Sequence, residues 1–367
     1  MEEYFAVIED PRHQGYVKHR LCDILTIVMC AVLCGFDKLC DIMIFAEAKE
    51  SFLRNTFGIT EIPSKPTFSR VLAAVDGQKV AEAIISFMKD CLGTEGDVVA
   101  VDGKAIRSTS KDGEPHSALQ IVTAYLTSNG LILGQEKIHD KTNEIPVLQE
   151  MLEYLNIKGK VITADAMHCQ RETCNLIKEK GGDYLICLKG NQGTLHEDID
   201  YYFNAKDTKD KVEVASTSEK NNGRGEHRIC RKLPAIDWVQ KRHDWPWLKS
   251  VFSVERIATT ANGESRETRY FISSVDASAE ELLNISRSHW QIESLHWSLD
   301  CVFSEDEYRL ATENAHICLN AFRKYALGMH KNFISANNKK YSIKGHMRLC
   351  SMSEKELLKM ISWLLSA

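Results

Sequence analysis

Apolar residues recur every three or four positions through Leu21–Gly35, Asp37–Phe57 and Gln78–Cys91, with breaks at Gly35, Gly58 and Gly77. That period predicts amphipathic helices up to about residue 95. The run Ile24–Gly35 (ILTIVMCAVLCG) is apolar all round but much shorter than the roughly 20 residues of a bilayer span, so it reads as a buried core helix. In Ile62-Pro63-Ser64-Lys65-Pro66-Thr67-Phe68-Ser69-Arg70 the prolines end one helix, and Ser64 or Thr67 can cap the next. Lys65, Ser69 and Arg70 then gather near a helix start, which suits phosphate contacts and equally suits an ordinary surface turn.

At Gly96 the pattern shifts to strands. Val98–Val101 is a short apolar run ending in Asp102-Gly103-Lys104, and Leu119–Leu126 and Leu131–Ile138 flank the hairpin signal Thr127-Ser128-Asn129-Gly130. An amphipathic helix over Glu144–Leu155 leads to a buried-type strand, Gly159–Ala164, that ends at Asp165. A helix over Glu172–Lys180 and a strand over Tyr184–Leu188 follow, the strand ending in Lys189-Gly190-Asn191-Gln192. Three antiparallel-capable strands feeding a strand–helix–strand alternation predict an α/β fold with a mixed sheet and helices on its faces. Residues 204–275 are polar at first and then alternate, with Val251–Thr259 and Thr268–Ser274 as strands around Asn262-Gly263, and read as a β-rich insertion. From Ala279 the pattern is helical to the end, and the short NNGRG and ANNKK stretches read as turns.

Composition narrows the class. With 44% hydrophobic and 26% charged residues the chain is an ordinary folded protein, which excludes a disordered tail, a collagen-like fibre and a disulfide-stapled miniature. The acidic, polar opening MEEYFAVIEDPRHQG lacks a secretory pattern, and the twelve irregularly spaced cysteines, several in apolar helical text, point to reduced thiols and a cytoplasmic protein. The net charge of −5 conceals an uneven distribution. Arg323–Lys359 holds nine basic residues against Glu354 and Glu356, whereas Asp276–Glu313 holds nine acids against Arg287 and Arg309. A basic stretch of that kind, with Lys339 and Lys340 near its middle, fits a polyanion partner or a solvated helix face.

The chemistry concentrates in three acids. Asp102 and Asp165 each follow the last apolar residue of a buried strand, where ligands bind in α/β folds, or where an aspartate simply caps the next turn. The stretch Ile285–Asp300 (ISRSHWQIESLHWSLD) puts His289, Glu293, His296 and Asp300 on one helical stripe with Trp290 and Trp297 beside it. Glu293 would complete three hard oxygen ligands for Mg²⁺ or Mn²⁺. A zinc or di-iron reading of His289, Glu293 and His296 is the alternative, and it lacks the second matching helix of a bundle site.

Six motifs in order carry a resemblance: Asp10-Pro11-Arg12 before the apolar helix; AVDGKAIR at 100–107; NEIP at 143–146; TADAMHCQ at 163–170; LKGNQ at 188–192; and HWQIESLHWSLD at 289–300. From about residue 8 to about residue 330 the chain resembles the insertion-sequence transposases associated with H-repeat (Rhs) elements, a branch of the DDE transposases. The resemblance implies a ribonuclease-H-like mixed-sheet core, a helical N-terminal family-specific domain, a β-rich insertion and a helical C-terminus. On that reading, residues 1–95 form the N-terminal domain, which would bind DNA ends. Residues 96–203 begin the core, 204–275 are the insertion, 276–330 complete the core, and 331–367 are a basic helical tail.

Matched by motif, Asp102 and Asp165 are the two aspartates and Glu293 the final glutamate, together holding two Mg²⁺ or Mn²⁺ ions. The implied reaction is phosphodiester hydrolysis at the element's ends followed by strand transfer to target DNA. The implied partners are double-stranded DNA, as terminal repeats and target, and a second copy of the chain when bound to it; no membrane partner is expected. Lys104, Arg107, Lys189, Asn191, Arg287, Lys65, Arg70, Lys339 and Lys340 are candidate DNA contacts, and Trp290 and Trp297 could stack on an unpaired base. The wider group often has Arg and Lys where this chain has His289 and Asp300, and Arg287 could stand in for one of them. Two competing readings are a metal-dependent nuclease without strand transfer and a catalytically inactive DNA-binding remnant.

Overall fold

The computed structural model describes residues 2–110, 117–138, 143–205, 212–221, 224–260 and 263–366. Helices α1 (Glu2–Ala6), α2 (Leu21–Leu33), α3 (Leu39–Ala48), α4 (Glu50–Phe57), α5 (Lys65–Ala74) and α6 (Gly77–Leu92) precede strands β1 (Val98–Ile106), β2 (Leu119–Leu126) and β3 (Leu131–Lys137). Helix α7 (Glu144–Tyr154), β4 (Val161–Ala164), α8 (Arg171–Glu179), β5 (Asp183–Leu188) and α9 (Gly193–Asn204) follow. Next come β6 (Glu213–Asn221), β7 (Arg224–Lys232), α10 (Asp237–His243), β8 (Ser250–Thr260) and β9 (Gly263–Ser273). Helices α11 (Ala279–Ser288), α12 (Trp290–Phe303), α13 (Glu313–Ala336), α14 (Ile343–Met352) and α15 (Glu354–Ser366) end the chain. None of the described helices is long and apolar enough to cross a membrane.

The chain divides into two units. One comprises Met1–Glu95, Gly103–Lys137 and Ser294–Ala367; the other comprises Gly96–Asp102 and Ile138–Glu293. In the first, α2 is buried on every side except at Cys22 and Asp23, as its apolar sequence requires, and Gly35 ends it at φ 84°, a conformation glycine takes without strain. Helix α13 is buried almost continuously from Ala315 to His330 and packs against α2, α5 and α6. The β2–β3 hairpin turns at Gly130, φ 76°, as the Asn-Gly signal predicts.

In the second unit the sheet runs β1-β4-β5-β9-β8-β7-β6. The first three strands are parallel, and the insertion adds a four-stranded antiparallel meander to the same sheet, starting from the β5–β9 pair Leu185↔Ser273. Helix α11 is held on this sheet by Ala279, Leu282 and Leu283, which pack on Leu185, Cys230 and Phe252. A capping box at its start, Ser278 with Glu281, satisfies the first free backbone N–H groups.

Several sequence expectations need correction. The helix expected over Asp37–Phe57 breaks into α3 and α4 at Lys49, whose φ −113° and ψ 22° are not helical. Strand β1 continues through Asp102 to Ile106, so Asp102 stands inside a strand and not beyond its end. Helix α9 follows β5 in a stretch given no element, and helix α10 and the β6–β7 hairpin occupy the part of the β-rich insertion that had read as polar. Of the predicted turns, Asn262 and the Asn222-Gly223 part of NNGRG lie outside the described residues. The basic stretch from Arg323 is not one surface, because Arg323 and Lys324 are 1% and 4% exposed.

Those two cations belong to a buried polar cluster in the first unit. Arg323 bridges Asp37 (2.8 Å) and Glu305 (3.3 Å), Glu305 accepts from Asn320 (2.9 Å), and Lys104 reaches Glu305 (3.2 Å), Asp300 (2.8 Å) and Asp306 (3.2 Å). Lys324 donates to Thr123 Oγ1 and Gln135 Oε1, and burial pushes it down to about 7. His316 accepts a hydrogen bond at Nε2 from the Leu310 amide (3.1 Å), and burial pushes it down to about 4. Below pH 6.5 the unfolded chain takes up a proton there that the folded chain refuses until about pH 4. Stability should therefore fall with pH across that window, by at most about 1.4 kcal/mol per unit from this group. Urea midpoints measured at intervals between those limits should fall less steeply for His316→Gln than for the parent chain; parallel curves would remove His316 as the cause.

Candidate active site

Strands β1 and β4 run parallel with Val101 opposite Ala164. The next residues on the two strands are Asp102 and Asp165, which therefore leave the paired stretch side by side. Asp165 opens a single 3₁₀ turn, Ala166–His168, that neighbouring side chains pin down. Asn191 donates to the Ala166 carbonyl and Gln192 to the Cys169 carbonyl, each at 2.7 Å.

Helix α11 delivers the third element. His289 follows its last residue and keeps helical angles, φ −55° and ψ −37°. Its Nδ1 lies 3.1 Å from Thr163 Oγ1 on β4, and its Nε2 lies 3.9 Å from Asp165 Oδ1. Burial holds the imidazole below its ordinary range, although Asp165 and Asp102 pull the other way. Glu293 stands one helical turn beyond His289, exposed like Asp165. Burial disfavours the charge on Arg269, but Glu267 (2.7 Å) and, further off, Glu293 hold it charged. Cys187 lines the same cleft, and burial pushes its thiol up to about 11, so it remains protonated at neutral pH.

The cleft beside Asp165 is lined by Thr163, His289, Arg269 and Trp290, and it continues past Arg269 and Trp290 to Arg228, Arg256 and Arg287. Arg228 and Arg256 face each other directly across β7 and β8, and Arg256 faces Glu267 across β8 and β9. Like charges in register repel. Glu226 between the two arginines, paired with both, offsets that repulsion. The guanidinium groups of Arg256 and Arg269 lie 5.3 and 5.6 Å from the Trp290 ring centre, within cation–π range. Arg228, Arg256 and Arg269 were missed in the sequence, where the available signal was arginine and glutamate alternating along strands of the insertion.

Of the remaining sequence candidates in this unit, Lys189 is exposed and Arg287 pairs with Glu219. In the other unit Lys104 is enclosed by three carboxylates, its side chain 11% exposed, so it is spent on protein contacts. Lys339 is similarly tied to Glu356. Arg107 is open but within 3.6 Å of Asp306, Lys65 donates to Cys40 Sγ (2.9 Å), and Arg70, Lys340 and Trp297 are exposed. Among the described residues, the one group of three His, Cys, Asp or Glu ligand atoms lying within 4.8 Å of one another is His330, His346 and Cys350. Asp102, Asp165 and Glu293 are spaced more widely than that, and His289, Glu293 and His296 do not converge on one point.

Comparison with known proteins supplies the family to which this mixed α/β chain belongs. The Transposase DDE domain family matches residues 93–327, and the DDE_Tnp_1-associated family matches residues 2–88. "Putative transposase YncI" of Escherichia coli O157:H7 is 35% identical over 89% of this chain and 86% of its own length. "H repeat-associated putative transposase YhhI" of E. coli strain K12 is 34% identical over 90% of each. A solved piggyBac transposase synaptic complex with hairpin DNA aligns with 99% of this chain and 78% of its own, at 12% identity and a TM-score of 0.43. The chain belongs to the DDE transposases, DNA-cutting enzymes that generally use divalent metal ions.

Proposed function

We propose that this chain excises and inserts an insertion sequence, with Asp102, Asp165 and Glu293 as its catalytic acids. The observation that carries the reading is the β1–β4 register, which sets two aspartates side by side, together with a helix that enters over Asp165 through His289 and reaches Glu293 a turn later.

The donor set fits hard divalent cations. All three proposed ligands are carboxylates, and the nearby thiol of Cys187 stays protonated. Three carboxylates are a donor set that a shared pair of Mg²⁺ or Mn²⁺ ions, roughly 3.5–4 Å apart, would take. Such ions, when bound, supply an activated oxygen nucleophile and stabilise the leaving oxygen. His289, whose charged form burial disfavours, packs between Thr163 and Asp165. Asn191 and Gln192 fix the turn that carries Asp165. The arginine row Arg228, Arg256, Arg269 and Arg287 lines the cleft beyond Asp165, and phosphates bound there would take the guanidinium groups over from Glu219, Glu226 and Glu267. Lys189, Arg107, Lys65, Arg70 and Lys340 add exposed positive charge for double-stranded DNA, with residues 1–95 proposed to bind the element's ends. A second copy of the chain would handle the second end, and the cytoplasm is the proposed compartment.

The test is a strand-cleavage and joining assay on DNA carrying the inverted repeats that flank the coding sequence. Mg²⁺-dependent release of the element's ends and their covalent joining to a target plasmid are expected, with both abolished by EDTA. Cleavage without joining would leave a nuclease. A protein that binds these ends but cuts nothing with either Mg²⁺ or Mn²⁺ would be a DNA-binding remnant.

A further inference from the structure

His330 on α13 and His346 and Cys350 on α14 meet inside the first unit, and all three are buried. His330 Nε2 lies 2.9 Å from the Leu33 carbonyl oxygen. A carbonyl only accepts, so Nε2 carries the proton and Nδ1 of the neutral ring is a bare lone pair. That lone pair faces His346 Nδ1 at 2.7 Å. On the far side of His346, Nε2 lies 3.6 Å from Glu356 Oε1, a carboxylate that Lys339 holds in place.

One proton on His346 cannot serve both sides. Placed on Nδ1, it leaves a bare, buried Nε2 turned toward a carboxylate, and Nε2 has no hydrogen-bond partner in the structure. Placed on Nε2, it suits Glu356 and leaves two Nδ1 lone pairs confronting each other. A second proton would satisfy both only by sealing an imidazolium charge among side chains that are 0% exposed. A cation other than a proton resolves the conflict. Cys350 lies one helical turn after His346 on the same helix, and its sulfur lies within 4.8 Å of a ring nitrogen of each histidine.

We propose that His330 Nδ1, His346 Nδ1 and Cys350 Sγ form a binding site for a divalent transition metal of the zinc class, tying α14 to α13. The donor set is imidazole and thiolate, which favours zinc over magnesium. Each ligating ring would present its Nε2–H to an acceptor, Leu33 O or Glu356, which is how metal-bound histidines are usually oriented. On binding, the Cys350 S–H bond breaks, the S–metal bond forms and the proton leaves to solvent. Phe333 and Tyr341 stack on the His346 ring at 5.2 and 6.0 Å and help to shield the site from water. A fourth ligand is tested at Cys34, a buried cysteine that interacts electrostatically with Cys350.

Cobalt reads this site directly. Full-length protein stripped with a chelator and titrated with Co²⁺ should develop a thiolate-to-cobalt charge-transfer band that saturates at about one ion per chain and is bleached by Zn²⁺. Excess Mg²⁺ and the double change Asp102→Asn, Asp165→Asn should leave the band intact, which separates this site from the carboxylates. Cys350→Ser should abolish the band, and Cys34→Ser should reduce its intensity if Cys34 is the fourth ligand. The absence of a band in the parent chain at stoichiometric Co²⁺ would overturn the proposal, whether or not the variants fold. An undiminished band in folded Cys350→Ser would assign it to other thiols, with the same result.

Discussion

Asp102→Asn, Asp165→Asn and Glu293→Gln should each lower metal-dependent strand cleavage by about 10³-fold or more, while gel-shift complexes with the same DNA persist. Each change keeps the side chain's shape and hydrogen-bonding capacity and removes one negative charge from a site whose purpose is to hold cations. Losing charge weakens ion affinity and transition-state stabilisation together. The arginine row in the cleft is untouched, and repulsion of phosphate by the acids decreases, so binding should hold or tighten. The three losses should not sum, because the acids act as one unit. Near-full activity in Glu293→Gln alone would mean that a different acid completes the set. Asp300 and Glu305 are poor replacements, since both are already paired with Lys104.

The second large effect lies in the buried polar cluster. Arg323→Met should destabilise the fold by about 3–5 kcal/mol, read as a drop in urea midpoint at constant slope, because Glu305 and Asp37 are left buried without their guanidinium. Burial alone would push Glu305 up; Arg323, Lys104 and Asn320 more than offset it and hold the carboxyl below its ordinary range. At Asp37 burial outweighs Arg323, and the carboxyl is pushed up. Arg323→Met combined with Glu305→Leu should cost less than the two single changes summed, since the second removes the charge that the first orphaned. Strict additivity would show that Arg323 and Glu305 are not coupled.

What could be read from the sequence follows from how locally each feature is encoded. The helices of the first 95 residues, the Asn-Gly hairpin and the strands leading to Asp165 and Lys189 announce themselves through period and turn chemistry. Strand β1 looked as though it ended at Val101 because Asp102-Gly103-Lys104 has turn composition, yet Lys104 sits in the strand with its charge answered by Asp300, Glu305 and Asp306. The same long-range pairing concealed Arg323 and Lys324, which look like surface cations until Glu305, Asp37, Thr123 and Gln135 are placed beside them. Hairpin β6–β7 escaped notice because its strands are mostly polar and carry cross-strand charge pairs, with Ala215 and Cys230 giving only a weak apolar signal. Glu293 is proposed on a motif, whereas the contact between His289 and Thr163 needed the helix laid against β4.

The sheet of the second unit joins strands that are far apart in the chain: β1 finds β4, and β5 finds β9 only after the whole meander has been made. Pairings of such long sequence separation form late and slowly. Helix α11, whose end carries His289 onto Asp165, is translated later still and rests on β5, β7 and β8. A nascent chain therefore emerges from the ribosome with its two aspartates made and its cleft open-ended. Any copy of the gene truncated before residue 289 would yield a product in which Asp165 has no helix to close over it.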